Sequence, residues 1–118
     1  MIVIKRFTFD AAHFVPSYHG KCEALHGHTY RLAVAVEGDL DAEGMVIDFA
    51  VLKDIVKKNA VDLLDHHLLN DIIKVPTAEN IAVFIWDKIA PHLSSESYHL
   101  DSVEVWETEN NGCIYRGE

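Results

Sequence analysis

Cysteine, proline, glycine and positive charge are all scarce in this chain. Two cysteines, Cys22 and Cys113, are too few for a disulfide scaffold. Three prolines and six glycines exclude collagen-like and low-complexity chains. Lysine and arginine number 10 against 19 aspartates and glutamates, a formal net charge of −9, and no basic stretch stands out. Nucleic acid is therefore excluded as a partner, because neutralising phosphates requires a cationic face. No apolar run approaches the roughly 18 residues of a membrane span. At the N-terminus Met1-Ile2-Val3-Ile4 precedes Lys5-Arg6, the reverse of a secretory signal, so the chain reads as cytoplasmic with no membrane partner. Its 118 residues are too few for a TIM barrel and suit a single domain over residues 1–118.

The hydrophobic fraction is 49%, ample for a core. Its spacing reads as two strands, two helices and two strands. The first strand covers residues 2–9, followed by an irregular stretch from Asp10 to Leu25. Residues 26–37 alternate, with Tyr30, Leu32, Val34 and Val36 on one face and Arg31 and Glu37 on the other. Asp48 suits the N-cap of a helix reaching about Leu63, and Thr77 that of a second helix stopped by Pro91. Strands 99–108 and 112–117 flank the turn signal Glu109-Asn110-Asn111-Gly112. Antiparallel hairpins around a helix pair imply an α+β fold, a four-stranded sheet with two helices on one face. Its two open edges invite pairing with another subunit.

Eight histidines are many for this length. In His26-Gly27-His28, residues i and i+2 of a strand point to one face, so two imidazoles stand side by side. His13 follows the first strand, the expected neighbour of the second. Three imidazoles converging there suit Zn²⁺ and leave a fourth position open for catalysis. Cys22, beside Lys21 and four residues before His26, could be a fourth ligand, a reactive thiol or a buried small side chain. Asp65-His66, followed by His67, could form a carboxylate–imidazole relay to a thiol, or simply a solvated helix end. Glu107 shares a strand face with Val103 and Val105. A carboxylate there either meets a ligand's paired N–H donors or lies exposed at a frayed strand end. His67, His92, His99 and Cys113 carry no assigned role.

Several motifs occur together: Phe9-Asp10-Ala11-Ala12-His13, Cys22-x-x-x-His26-Gly27-His28-x-Tyr30, Gly44-Met45-Val46-Ile47-Asp48-Phe49, Leu64-Asp65-His66, Pro76-Thr77-Ala78-Glu79-Asn80 and Val105-Trp106-Glu107-Thr108. In this order, over nearly the whole chain, they resemble the 6-pyruvoyl-tetrahydropterin synthase / 6-carboxy-tetrahydropterin synthase family. The resemblance implies a tunnelling fold assembled as trimers or hexamers with sites between subunits. It implies His13, His26 and His28 as zinc ligands, Cys22 as the catalytic thiol, and Asp65 and His66 as its relay. Glu107 becomes the anchor of the pterin's amino edge, and Thr77 a second pterin contact.

The three-residue spacer between Cys22 and His26 resembles the 6-carboxy-tetrahydropterin branch of queuosine biosynthesis rather than the pyruvoyl branch. A lyase is implied that converts 7,8-dihydroneopterin triphosphate to 6-carboxy-tetrahydropterin, acetaldehyde and triphosphate. Glu23 keeps open a related branch that releases glycolaldehyde from dihydroneopterin. A non-catalytic zinc- or pterin-binding module is the alternative from another class. A triphosphate approaching so acidic a chain needs local cations, and Lys5, Arg6, His19 and Lys21 are the nearest in sequence.

Overall fold

A computed structural model describes residues 1–16 and 24–118. It contains one four-stranded antiparallel sheet in the order β1-β2-β3-β4, formed by Ile2–His13, His26–Gly38, Tyr98–Trp106 and Gly112–Tyr115. The element order and the helices on one face agree with the sequence expectation. Among the described residues, no helix is long and apolar enough to cross a membrane.

β1 runs past the expected end at residue 9 and reaches His13. Asp10, Ala11 and Ala12 are weak strand formers, and for that reason they read as irregular. Pairing with β2 overrides that preference, because the ladder continues through Asp10↔Thr29 and Ala11↔His28 to His13↔His26. Alternation along β1 sends Phe9, Ala11 and His13 into the covered side, while Asp10 remains exposed. Along β2, Tyr30, Leu32 and Val34 are buried and Arg31 is exposed. A register shift between Ala35 and Val36 then breaks the alternation, so Ala35 is buried as well.

The first helical rod is α1 (Phe49–Val56), a π-helical turn (Lys57–Val61) and a short α2 (Asp62–Leu64). The expected continuous helix is thus interrupted at its centre. Asp48 caps it as expected, its carboxylate accepting from Ala50 N–H at 2.7 Å. α3 (Ala78–Ile89) is capped by Thr77, whose hydroxyl accepts from Asn80 N–H at 3.2 Å. A 3₁₀ turn containing Pro91 ends it. Leu52, Val56, Ala60 and Leu64 from the first rod and Ile81, Ile85 and Ile89 from α3 pack with Tyr30, Leu32, Val103 and Val105 in one core.

β3 and β4 are shorter than expected. Their connection is tied at Thr108, whose hydroxyl accepts from the N–H groups of Asn110 and Asn111. Gly112 is needed beside it: a Cβ there would fall 2.4 Å from the Trp106 indole.

Candidate functional site

Strand register assembles the centre. His13 lies directly opposite His26, and His28 follows two residues on, so alternation turns all three rings toward the helices. Their ligand atoms all lie within 4.8 Å of one another. His13 is 1% exposed, whereas the other two are partly exposed and form the mouth.

Backbone carbonyls fix the tautomers. His13 Nδ1 lies 2.8 Å from the Pro76 carbonyl and His26 Nδ1 2.8 Å from the Ala24 carbonyl. A carbonyl only accepts, so each Nδ1 carries a proton and Nε2 is the nitrogen each ring turns inward. Those two Nε2 atoms are 3.0 Å apart. Where both are bare, their lone pairs repel at that separation, and a cation between them reverses the sign. The spacing is close to that of two nitrogens sharing one tetrahedral metal at about 2.0–2.1 Å. The histidine trio can therefore hold a metal ion, with its second nitrogens already oriented.

The supports around His13 were not evident as such in the sequence. Tyr30, fully buried and stacked on Phe9 at 5.0 Å between ring centroids, places its hydroxyl 3.2 Å from His13 Nδ1. The Asn70 side chain clamps the next residue from both sides, accepting from Phe14 N–H at 3.0 Å and donating to its carbonyl at 2.9 Å. Tyr30 and the Pro76-Thr77 segment stand in the quoted motifs, but as strand and cap residues. Asn70 has no local signal at all.

Glu107 joins this group. Its position continues the inward face of Val103 and Val105, and its Oε1 is 3.2 Å from His13 Nε2 and 3.6 Å from His28 Nε2. The side chain is 27% exposed, so the frayed-end alternative is not what is observed. Its neighbours here are imidazoles rather than paired N–H donors. Thr77 adjoins the centre through Pro76, while its hydroxyl caps α3.

Asp65 and His66 gather at the outer edge of β1, where His66 and His28 line one concavity with Asp10 and Thr29. The Asp10 N–H donates to Asp65 Oδ1 at 2.9 Å, and the His66 N–H donates to the Asp10 carbonyl at 2.6 Å. His66 adopts φ 62°, a left-handed backbone unusual for histidine. Its Nδ1 lies 3.0 Å from Asp65 Oδ1, which leaves Nε2 as the proton acceptor. The Asp10 N–H, aided by His66 and Lys57, holds the Asp65 carboxyl below its ordinary value against the opposing effect of desolvation. Asp10 itself accepts from the Thr29 hydroxyl at 2.5 Å and faces away from the helices, on the side opposite the histidine trio.

The other sequence expectations divide. Cys22, His19, Lys21 and Glu23 lie outside the described residues. Arg6 is not at the histidine centre. It alternates to the uncovered face and lines a concavity of about 580 Å³ with Thr8, Arg31, Glu104 and Trp106.

Fold and centre together define a helix-covered antiparallel sheet presenting a three-histidine cluster able to hold a metal ion at one end of a strand pair. The chain belongs to the 6-pyruvoyl tetrahydropterin synthase family, whose model matches residues 2–118. It is 37% identical to the 6-carboxy-5,6,7,8-tetrahydropterin synthase of Haemophilus influenzae, over 97% of each chain. It is 42% identical to the dihydroneopterin monophosphate aldolase of Pyrococcus furiosus, over 93% of this chain and 92% of that one. The solved 6-pyruvoyl tetrahydropterin synthase of Caenorhabditis elegans superposes with a TM-score of 0.87 at 29% identity, covering 100% of this chain and 96% of its own. Pterin synthases and this aldolase thus stand side by side among the similar proteins, and the fold is shared with the solved synthase.

Proposed function

We propose that this chain is a zinc-dependent 6-carboxy-5,6,7,8-tetrahydropterin synthase acting in queuosine biosynthesis. Its substrate is 7,8-dihydroneopterin triphosphate, and its products are 6-carboxy-tetrahydropterin, acetaldehyde and triphosphate. The observation that carries the reading is the set of inward Nε2 atoms, two of them fixed by backbone carbonyls on the opposite ring nitrogen. Kinship with the Haemophilus influenzae enzyme and the short spacer between Cys22 and His26 support the carboxy branch.

His13, His26 and His28 hold the ion. When bound, zinc acts as a Lewis acid on the substrate's side-chain hydroxyls. Glu107 accepts the amino edge of the pterin, with Thr77 beside it, so that the ring is held while the side chain reacts. Cys22 moves protons at the ring and side chain. His66 takes and returns the proton through Nε2, because Asp65 fixes the proton on Nδ1. Elimination of triphosphate turns the outer carbinol carbon into a ketone bearing a methyl group. Proton shifts from the inner carbinol carbon into the ring make the second carbonyl while reducing the dihydropterin to the tetrahydro level. Addition of water between the two carbonyls then leaves the carboxylate on the ring and releases acetaldehyde.

The dyad's hold on the Asp10 main chain, at the exposed outer edge of β1, supports sites completed across subunit boundaries. A trimer or hexamer supplies those boundaries and covers the sheet edges. The triphosphate is met by cations near the mouth, supplied by this chain or by a neighbouring subunit.

A second reading, an aldolase releasing glycolaldehyde, is favoured by the 42% identity to the Pyrococcus furiosus protein and by Glu23 beside Cys22. Mass spectrometry of products from zinc-loaded protein and fresh 7,8-dihydroneopterin triphosphate separates the readings. Carboxy-tetrahydropterin with acetaldehyde is expected. Glycolaldehyde selects the aldolase, and a pyruvoyl product overturns the spacer argument. No turnover with zinc bound makes the chain a binding module.

A further inference from the structure

We propose that the hollow on the uncovered face of the sheet is a second binding site. Its ligand is a planar ring with adjacent N–H donors joined to a phosphate, the chemistry of a guanine nucleotide. The hollow lies across the sheet from the histidine centre and does not depend on the zinc reading.

Positive charge is scarce in this chain, and its placement is uneven. Of the three arginines, Arg6, Arg31 and Arg116, two line this one hollow of about 580 Å³. Strand register puts them there. Arg6 lies opposite Ala33 and Thr8 opposite Arg31, so the two arginines are diagonal neighbours on adjacent strands. Both are exposed on the uncovered face. Among the described residues, no ion pair or hydrogen bond engages either guanidinium. Two like charges held side by side repel, and an anion between them turns repulsion into attraction.

The opposite wall is acidic. β3 continues the same rungs, with Glu104 opposite Ala33 and Trp106 opposite Arg31. Glu109, in the turn beyond β3, lines the hollow as well. The Trp106 indole N–H donates to Glu104 Oε1 at 2.6 Å and keeps that carboxylate on the β3 side. Ala33, between Arg6 and Glu104, is too small to fill the gap.

A simple anion suits only half of such a hollow, because the two carboxylates repel it. A ligand that matches both walls carries an anionic group at one end and N–H donors at the other. Arginine forks take phosphate bidentately, and a carboxylate takes two adjacent N–H groups in the same manner. Trp106 adds an aromatic surface for the ring, and it is held firmly, since its indole packs so closely on Gly112 that a Cβ there would fall 2.4 Å away. β1 and β3 stand two strand spacings apart, about 9–10 Å, close to the reach of a mononucleotide from ring edge to phosphate.

Binding is measured on the full chain, without turnover. Guanosine monophosphate should give a saturable heat in calorimetry. The chain has two tryptophans, and Trp86 packs against Tyr115 away from the hollow, so Trp86→Phe leaves Trp106 as the sole indole reporter. Its emission should change with the same midpoint. Arg6→Gln and Arg31→Gln are each expected to weaken binding about tenfold or more. Adenosine monophosphate lacks the donor pair and should bind about tenfold more weakly than the guanosine form, a preference that Glu104→Gln erases. Glu107→Ala should leave binding unchanged. Circular dichroism of each variant confirms an intact fold.

The absence of saturable binding by calorimetry overturns the proposal. So does binding that survives both arginine changes. Loss of binding in Glu107→Ala moves the ligand to the histidine centre and overturns it too. Inorganic phosphate binding as tightly as the nucleotide, with Glu104→Gln silent, makes the hollow a plain anion site and defeats the assignment of a ring.

Discussion

The histidine centre and the Asp65–His66 dyad are both fastened to the end of β1, but by opposite means. The centre is held by side chains on the covered face: register aligns the rings, and burial of His13 removes competing water. The dyad is held by main chain at an exposed edge, where Asp10 donates its N–H to one member and accepts the N–H of the other. The His66 side chain is 77% exposed, against 2% for His13. A metal site needs several donors fixed together in advance, which a sheet face supplies. The relay proposed for the dyad needs one ring correctly turned and open to exchange, which a loop clamped to a strand edge supplies.

The largest expected effect separates the two regions outright. His66→Ala should lower kcat by about 10²–10⁴-fold while zinc affinity stays at the parent value, since His66 does not belong to the metal trio. Steady-state kinetics alongside chelator competition checks both halves. A parallel loss of zinc would merge the two regions and defeat the comparison.

Tyr30→Phe probes the other side. It removes the hydroxyl beside His13 Nδ1 but keeps the ring stacked on Phe9. Because the Pro76 carbonyl remains in place, zinc affinity should fall by only about tenfold, the low end for an orienting partner. Chelator competition measures it.

Thr77→Ala tests a residue that touches both the fold and the site. Loss of its cap on α3 should cost about 1 kcal/mol. Thermal unfolding of the metal-free chain should register a drop of about 4 °C. A much larger drop would mean that the Pro76 carbonyl, and with it His13, had moved as well.

The smallest effect is a pH dependence. The Asp65 carboxyl is held below its ordinary value of 3.8, chiefly by the Asp10 N–H. Folding therefore favours the carboxylate. This contribution is complete above that ordinary value and is lost as pH falls through the lowered one. Asp65→Asn should flatten this part of the acid unfolding curve. The change stays small because water screens an exposed carboxylate.

Much of the site is legible in the residues. His26-Gly27-His28 announces two imidazoles on one strand face, and the apolar positions Val103 and Val105 predict the inward direction of Glu107. The helix caps Asp48 and Thr77 read correctly because capping is a local hydrogen bond between residues two or three apart. The end of β1 did not, since Asp10, Ala11 and Ala12 are strand only by virtue of β2. The relay proposed for Asp65 and His66 rests on family resemblance, as no local pattern distinguishes a relay from a solvated helix end.

Composition, periodicity and motif spacing thus determined the fold class, the order of its elements and the three candidate metal ligands, because each depends on neighbours close in the chain. Tertiary structure alone decided which atoms orient them. The carbonyl on His13 comes from a residue 63 positions away, and the N–H on Asp65 from one 55 positions away. Such partners are main-chain groups, which every residue carries alike, so only the folded path of the chain selects them.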